Sequence, residues 1–254
     1  RVWVLDQAKA GVTSPADYLG LTQALHRIFA ETEDAQVLGL DARALGERCS
    51  ACGGRGFATL DMGFLPSVHV PCEPCRGTGY RAEAWGVHLN GVALPDVFGK
   101  TIDEGVTLLG ERLAEEQGLA RKLQAVQDVG LGYLVLRQPG YSLSGGEAQR
   151  LKIADELSRP ERAGTLYILD EPTVGQHLED VGRLISVLNR LVEAGNSAFV
   201  IEHHTLLLAA CDWIIEFGPG GGPDGGRVIA QGTPEAVAAG TTPTAPYLRK
   251  ELQE

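Results

Sequence analysis

The pattern of apolar and polar positions changes character along the chain. Arg1-Val-Trp-Val-Leu5 reads as a short strand, entered abruptly and ending at Asp6-Gln7, so the chain is expected to be cut out of something longer. Over residues 8–47, Leu21, Ala24, Leu25, Ile28 and Phe29 recur near helical spacing and predict one helix with a core-facing stripe. Trp85 to Leu89 reads as a strand leading into a turn at Asn90-Gly91, a dipeptide that suits a hairpin. Asp103 to Ala120 and Arg121 to Val129 read as helices, stopped at Gly130-Leu131-Gly132. From residue 141 helices and strands alternate. A helix is expected from Glu147 to about Ser158, before Arg159-Pro160. Thr165 to Leu169 lacks polar alternation, as suits a parallel strand covered on both faces. A helix over 178–193 carries Val181, Leu184, Ile185, Val187, Leu188 and Leu191 as its apolar face, and a strand over 196–201 ends at Glu202-His203-His204. Thr205 is placed to cap a short helix to Ala210. Trp213 to Phe217 and Arg227 to Ala230 are the last strands, split by the glycine-rich stretch 218–226. This order predicts an α/β architecture with a mostly parallel sheet.

Composition narrows the function classes. With 254 residues and 44% apolar side chains, the chain is long enough for one large domain or two ordinary ones with a real core. No apolar run approaches the roughly 18 residues of a membrane span, and no signal-peptide layout opens the sequence, so no membrane partner is expected. The net charge of −11 argues against a generally basic, nucleic-acid-coating surface; any such contact has to come from a local patch. Glycine is abundant, with 33 residues, and it clusters where the chemistry should be sought.

Four of the five cysteines form a metal pattern, and a reducing cytoplasm is the expected location. Cys49-Ser-Ala-Cys52-Gly-Gly-Arg-Gly56 is followed by nineteen residues after Cys52 and then by Cys72-Glu-Pro-Cys75-Arg-Gly-Thr-Gly79. Each half is CxxCxGxG, and together they offer the four thiolates of a closed, structural zinc site with no open position for water. The alternatives are four free thiols or two disulfides. Between them, Phe57 to Val70 is consistent with a hairpin or a flexible arm around Gly63 and Pro66. Arg48, Arg55, Arg76 and Arg81 lie nearby as candidate phosphate partners, or as solvated surface charges.

A second set of residues suits phosphate chemistry. Asp170-Glu171 closes an apolar strand, at the sheet edge where α/β proteins bind ligands. There Asp170 is suited to hold Mg²⁺ and Glu171 to polarise an attacking water; a solvated turn is the plainer reading of such a pair. Gly145-Gly146 at a helix start allows a phosphate to approach free backbone N–H groups, with Ser144 adding a hydroxyl; glycine pairs also mark ordinary turns. His203 follows a strand end at the same sheet edge and is placed to reach a terminal phosphate, although a lone histidine is commonly structural.

These residues carry a resemblance. Leu143–Arg150 (LSGGEAQR) resembles the signature motif of ATP-binding-cassette (ABC) ATPases. Leu166–Pro172 resembles their Walker B strand, Thr173–His177 their D-loop and His203 their switch histidine; Gln7 stands where the Q-loop glutamine falls. Joined to the four-cysteine insertion, the pattern is similar to the C-terminal half of the UvrA family, the DNA-damage-recognition subunit of the bacterial excinuclease. Phe64–Cys72, Arg121–Gln124, Asp128–Tyr133, Ile201–His204 and Asp212–Pro219 extend the likeness, which runs from about Val2 to Leu248.

The resemblance implies an α/β ABC-type P-loop NTPase fold with a helical signature subdomain and an inserted zinc module. Residues 1–47 would start the cassette and the signature subdomain, 48–80 form the zinc module, 81–140 continue the subdomain and 141–254 form the ATPase core. It implies Glu171 and His203 as catalytic residues. Gln7, Ser144, Gly145, Gly146, Glu147 and Asp170 would contact ATP and Mg²⁺, and Cys49, Cys52, Cys72 and Cys75 would hold zinc. The implied partners are damaged duplex DNA, a second copy in a homodimer, and a UvrB-like protein reached through an N-terminal half. The chain also departs from the family pattern. No GxxxxGK(S/T) phosphate loop occurs in it, since Gly99-Lys100-Thr101 has leucine at position 94. Gln176 replaces the usual D-loop leucine, residues 9–18 lack an arginine-rich stretch, and the approach to Cys49 is short. Alternative readings are a UvrA paralogue in drug or intercalator resistance, a transporter cassette, or a chaperone-like zinc module.

Overall fold

A computed structural model describes residues 1–5, 13–62, 65–159, 163–220 and 225–253. The chain divides into two units. One comprises residues 1–8, 128–130 and 145–254, the other residues 9–127 and 131–144. The expected Q-loop residue Gln7 lies outside the described residues. Among those described, no helix is long and apolar enough to cross a membrane.

The first unit is built on a three-stranded parallel sheet in the order Val2–Leu5, Leu166–Asp170, Ser197–Ile201. Its register pairs Val4 with Ile168 and Ile168 with Phe199. The helix Gly145–Leu157 packs beside the first strand and Leu178–Glu193 against the third. Side chains alternate across a strand, so this register sorts the sheet into two faces. Tyr167 and Leu169 are buried on one face, whereas Val2, Val4, Phe199 and Ile201 are exposed on the other. The expectation that the central strand is covered on both faces is therefore corrected: among the described residues, helices cover one. In Leu178–Glu193 the expected stripe is present, with Val181, Leu184, Val187 and Leu188 buried, and Arg190 reaches Asp128 at 2.7 Å.

The last two strands, Ile214–Gly218 and Arg227–Gly232, leave the parallel sheet and pair antiparallel with each other. Their connection spans only residues 219–226, too short for the dozen or more residues that a parallel crossover requires. Helices Pro234–Ala238 and Ala245–Glu251 pack over this pair, and Ile214, Val237, Ala238 and Leu248 form its core. The helix Thr205–Ala209 is present, but His204 is its N-cap; the Thr205 hydroxyl instead donates to Glu251, so the expected Thr205 cap is corrected.

The second unit is mostly helical. The single helix expected over 8–47 is four short ones: Pro15–Tyr18, Leu21–Ala30, Glu33–Leu38 and Ala42–Leu45. Local capping cuts it. Thr32 accepts from the Ala35 N–H at 3.4 Å and Asp41 from the Ala44 N–H at 2.7 Å, each starting a new helix. Gly39, at φ +66°, ends the third. Likewise, the helix expected over 103–120 is Ile102–Leu109, started by a Thr101–Glu104 capping box and stopped at Gly110, then Arg112–Glu115. The next helix already begins at Gln117, giving Gln117–Asp128. The turn at Asn90-Gly91 joins His88–Leu89 to Val92–Ala93 as expected. Leu21, Ile28, Phe29, Leu94, Ile102, Leu131 and Leu134 are the buried centre of this unit.

Candidate metal and nucleotide sites

Cys49, Cys52, Cys72 and Cys75 are buried together in the second unit, all four sulfurs lying within 4.8 Å of one another. The Sγ–Sγ distances are 4.0 Å for Cys49–Cys72 and 3.8 Å for Cys52–Cys75. Disulfides need about 2.05 Å, so these are free thiols. A tetrahedron with metal–sulfur bonds of about 2.3 Å has edges of about 3.8 Å, which fits this cluster.

The two CxxCxGxG segments build the cluster reciprocally. The Gly56 amide donates to Cys52 Sγ at 3.3 Å and the Gly79 amide to Cys75 Sγ at 3.2 Å. Each segment also binds the other: Cys72 N–H donates to Gly56 O at 2.8 Å and Cys49 N–H to Gly79 O at 2.7 Å. Both glycines are required by space as well as by conformation. A Cβ on Gly56 (φ +77°) would lie 2.4 Å from Gly77 O, and one on Gly79 (φ +82°) 2.4 Å from Gly54 O. Burial opposes ionisation of Cys52, but the Gly56 amide, aided by the neighbouring thiols and the Gly54 amide, brings its thiol down to about 7. Burial pushes Cys72 up to about 12. Between the segments, Phe57–Met62 and Leu65–Pro71 form the expected antiparallel hairpin.

The neighbouring arginines differ in their engagement. Arg81 is paired with both Glu47 and Glu83. Arg76 lies over the Trp85 ring at 4.7 Å, and Arg55 donates to Cys52 O at 3.1 Å and sits 5.8 Å from the Phe57 ring centre. Arg48, Arg55 and Arg76 are exposed.

In the first unit the sheet ends hold the other candidates. Asp170 is the last residue of its strand, and its carbonyl accepts from Gln149 Nε2 at 3.0 Å. Glu171 adopts a left-handed φ of +45° while its N–H donates to Ile201 O at 2.8 Å. This unusual conformation for a non-glycine residue turns the chain sharply at the strand end. Glu171 Oε1 lies 3.5 Å from Nε2 of His203, an exposed residue just beyond the third strand. Gly145, Gly146 and Glu147 open the helix Gly145–Leu157 of this unit, whereas the exposed Ser144 belongs to the other unit. A Cβ on Gly146 would lie 2.9 Å from Val174 O, so the helix start and the 171–177 turn approach closely. Gln176 folds back to donate to the Pro172 carbonyl.

One participant escaped the sequence reading. Glu202 is half-buried and accepts hydrogen bonds from the Thr173 N–H, the Thr173 hydroxyl, and the His203 and His204 N–H groups. Burial alone would raise its pKa; the Thr173 hydroxyl and these amides outweigh that and hold it below the ordinary value. Its sequence signal is slight: a carboxylate directly after a strand, next to His203 and His204.

No family model matches the chain. Whole-chain comparison finds relatives among proteins called UvrABC system protein A. The protein from Thermus thermophilus is 44% identical over 98% of this chain and 27% of its own length. That from Methanothermobacter thermautotrophicus is 44% identical over 100% of the chain and 27% of its length. The chain thus spans about a quarter of the relatives it matches. The crystal structure of UvrA2 from Deinococcus radiodurans superposes with a TM-score of 0.85 at 44% identity, covering 99% of this chain and 32% of that one.

Proposed function

The chain belongs to the UvrA family, and from that premise we propose that it supplies part of an ABC ATPase that recognises damaged or distorted DNA in nucleotide excision repair. The observation that carries this reading is the 3.5 Å approach of Glu171 and His203, at the strand ends of a parallel sheet and directly after Asp170. Asp170 is suited by position and charge to hold Mg²⁺, which supplies charge neutralisation on the phosphates when bound. Glu171 would orient a water and accept its proton, while the His203 imidazole would hold a terminal phosphate oxygen. Gly145 and Gly146, with Ser144 and Glu147, would meet ATP held by the opposite half of the machine, and the family resemblance adds Gln7 to the nucleotide contacts.

The four-thiol cluster fits zinc by number, donor type and spacing, and would stiffen a module that carries Arg48, Arg55 and Arg76 outward. These arginines would meet phosphates of duplex DNA, whose distortion is read through shape and deformability. A homodimer, a UvrB-like partner and a cytoplasmic location belong to the same reading. Full-chain identity of 44% to UvrABC system protein A favours repair over a transporter cassette. The test is binding of damaged and undamaged duplex, over a salt series, by a polypeptide that joins this chain to the remainder its relatives possess. Tighter binding to damaged duplex at every salt concentration is expected; equal affinity for both would refute the reading.

A further inference from the structure

The turn that carries Glu171 and the loop that carries His203 are joined by a single side chain. Glu202 Oε1 accepts from the Thr173 N–H at 2.9 Å and from the Thr173 hydroxyl. Its Oε2 accepts from the His203 N–H at 2.6 Å and the His204 N–H at 2.9 Å. An ionised carboxylate accepts only, through about four lone-pair directions. Here all four are met by donors, two from each loop. The Glu171 N–H to Ile201 carbonyl bond fixes the base of the turn, and Glu202 fixes its far side two residues on.

We propose that Glu202 is a positioning residue for ATP hydrolysis, holding the Glu171–Thr173 turn and the His203 loop as one piece so that Glu171 and His203 face the same phosphate. The inference rests on the reading of Glu171 and His203 as the hydrolytic pair. At 3.5 Å these two are too far apart to fix each other by a strong mutual hydrogen bond, so their relative placement depends on the backbone beneath them. Glutamine at 202 keeps the shape but offers one acceptor oxygen and an amide N–H₂, which in either orientation would face at least one backbone donor: the Thr173 N–H, or the His203 and His204 N–H groups. A misplacement of about 1 Å in such a site lowers the rate by about 100-fold.

The experiment compares variants in a polypeptide that contains the phosphate loop as well as this chain, measuring kcat, the KM for ATP and the melting temperature together. Glu202→Gln is expected to lower kcat by about 10- to 100-fold with KM within about twofold, because the tie orients the reacting groups rather than binding ATP. Thr173→Val removes the hydroxyl donor and keeps the backbone one; it should lower kcat less, and Thr173→Ser should recover most of that loss. The double variant Glu202→Gln with Thr173→Val should be no slower than Glu202→Gln alone, since both cut the same tie. Should Glu202→Gln fail to fold, the Val/Ser pair at 173 decides. A lowered melting temperature with kcat per folded molecule unchanged would overturn the proposal, as would a fall in Thr173→Val that Thr173→Ser does not recover. Glu171→Gln is the separating control: if it leaves turnover unchanged, the hydrolytic reading itself fails. If it slows turnover while the 202 and 173 variants do not, only the positioning role is lost.

Discussion

Gly79→Ala isolates what the paired CxxCxGxG segments contribute to metal binding. Gly79 has φ +82°, where an L side chain costs about 1–2 kcal/mol. The added Cβ would sit 2.4 Å from Gly54 O and 3.0 Å from Gly54 C, so backbone must move to admit it. That movement is opposed by the Gly79 N–H bond to Cys75 Sγ at 3.2 Å and the Cys49 N–H bond to Gly79 O at 2.7 Å. Overpacking of this kind costs a further ~1–3 kcal/mol. The combined loss, about 2–5 kcal/mol, corresponds to zinc affinity lowered by about 30-fold to several thousandfold. Gly53→Ala serves as the comparison: Gly53 has φ +61° but meets nothing within 4 Å, so only the conformational cost applies, about 5- to 30-fold. Arg76, with φ +50°, occupies the equivalent place after the second CxxC and shows that a side chain is accommodated there. The assay is competition against a chromophoric chelator, with cobalt spectra reporting the thiolate shell. Native affinity and an unchanged spectrum in Gly79→Ala, or equal losses in the two variants, would refute the reasoning.

Other outcomes follow from the same structure. Chain purified under reducing conditions should hold about one zinc, and its removal by a chelator should unfold the 48–80 module; a metal-free chain with an unchanged melting curve would contradict the four-thiol site. This chain alone should show negligible ATP turnover, because it contains no GxxxxGK(S/T) loop; robust hydrolysis by it would contradict that argument. Glu202 has a folded pKa below its ordinary 4.5, so its stabilisation is fully present above that value and is lost as pH falls through the folded pKa. The melting-temperature advantage of native chain over Glu202→Gln should therefore be level above about pH 5.5 and shrink in more acid solution; an advantage that grows on acidification would reverse the sign.

The grouping of the candidate residues is more legible in the sequence than the architecture around them. Doubled CxxCxGxG spacing identifies four sulfurs that the fold does bring together, since the motif is local and its glycines fix the local backbone. The Asp170-Glu171 and His203 strand ends were readable because parallel neighbours place their C-terminal ends side by side. The helical stripe at 21–29 was readable as well, but its extent was not. Thr32 and Asp41 supply caps whose local hydrogen bonds outweigh continuation of one helix over 8–47. The apolar character of Thr165–Leu169 suits cover on both faces, but it does not say whether the second layer belongs to the same chain. Glu202 was missed because its role depends on Thr173, distant in sequence and brought near only when the strands pair.

The proposed hydrolytic site stands or falls on Glu171 acting on water beside a phosphate held at this sheet edge. Its most direct test is ATP binding and single-turnover hydrolysis by a polypeptide carrying the phosphate loop, native against Glu171→Gln. ATP binding should be retained and hydrolysis slowed by about 100-fold or more, as for loss of a general base. Hydrolysis at the native rate would contradict the claim.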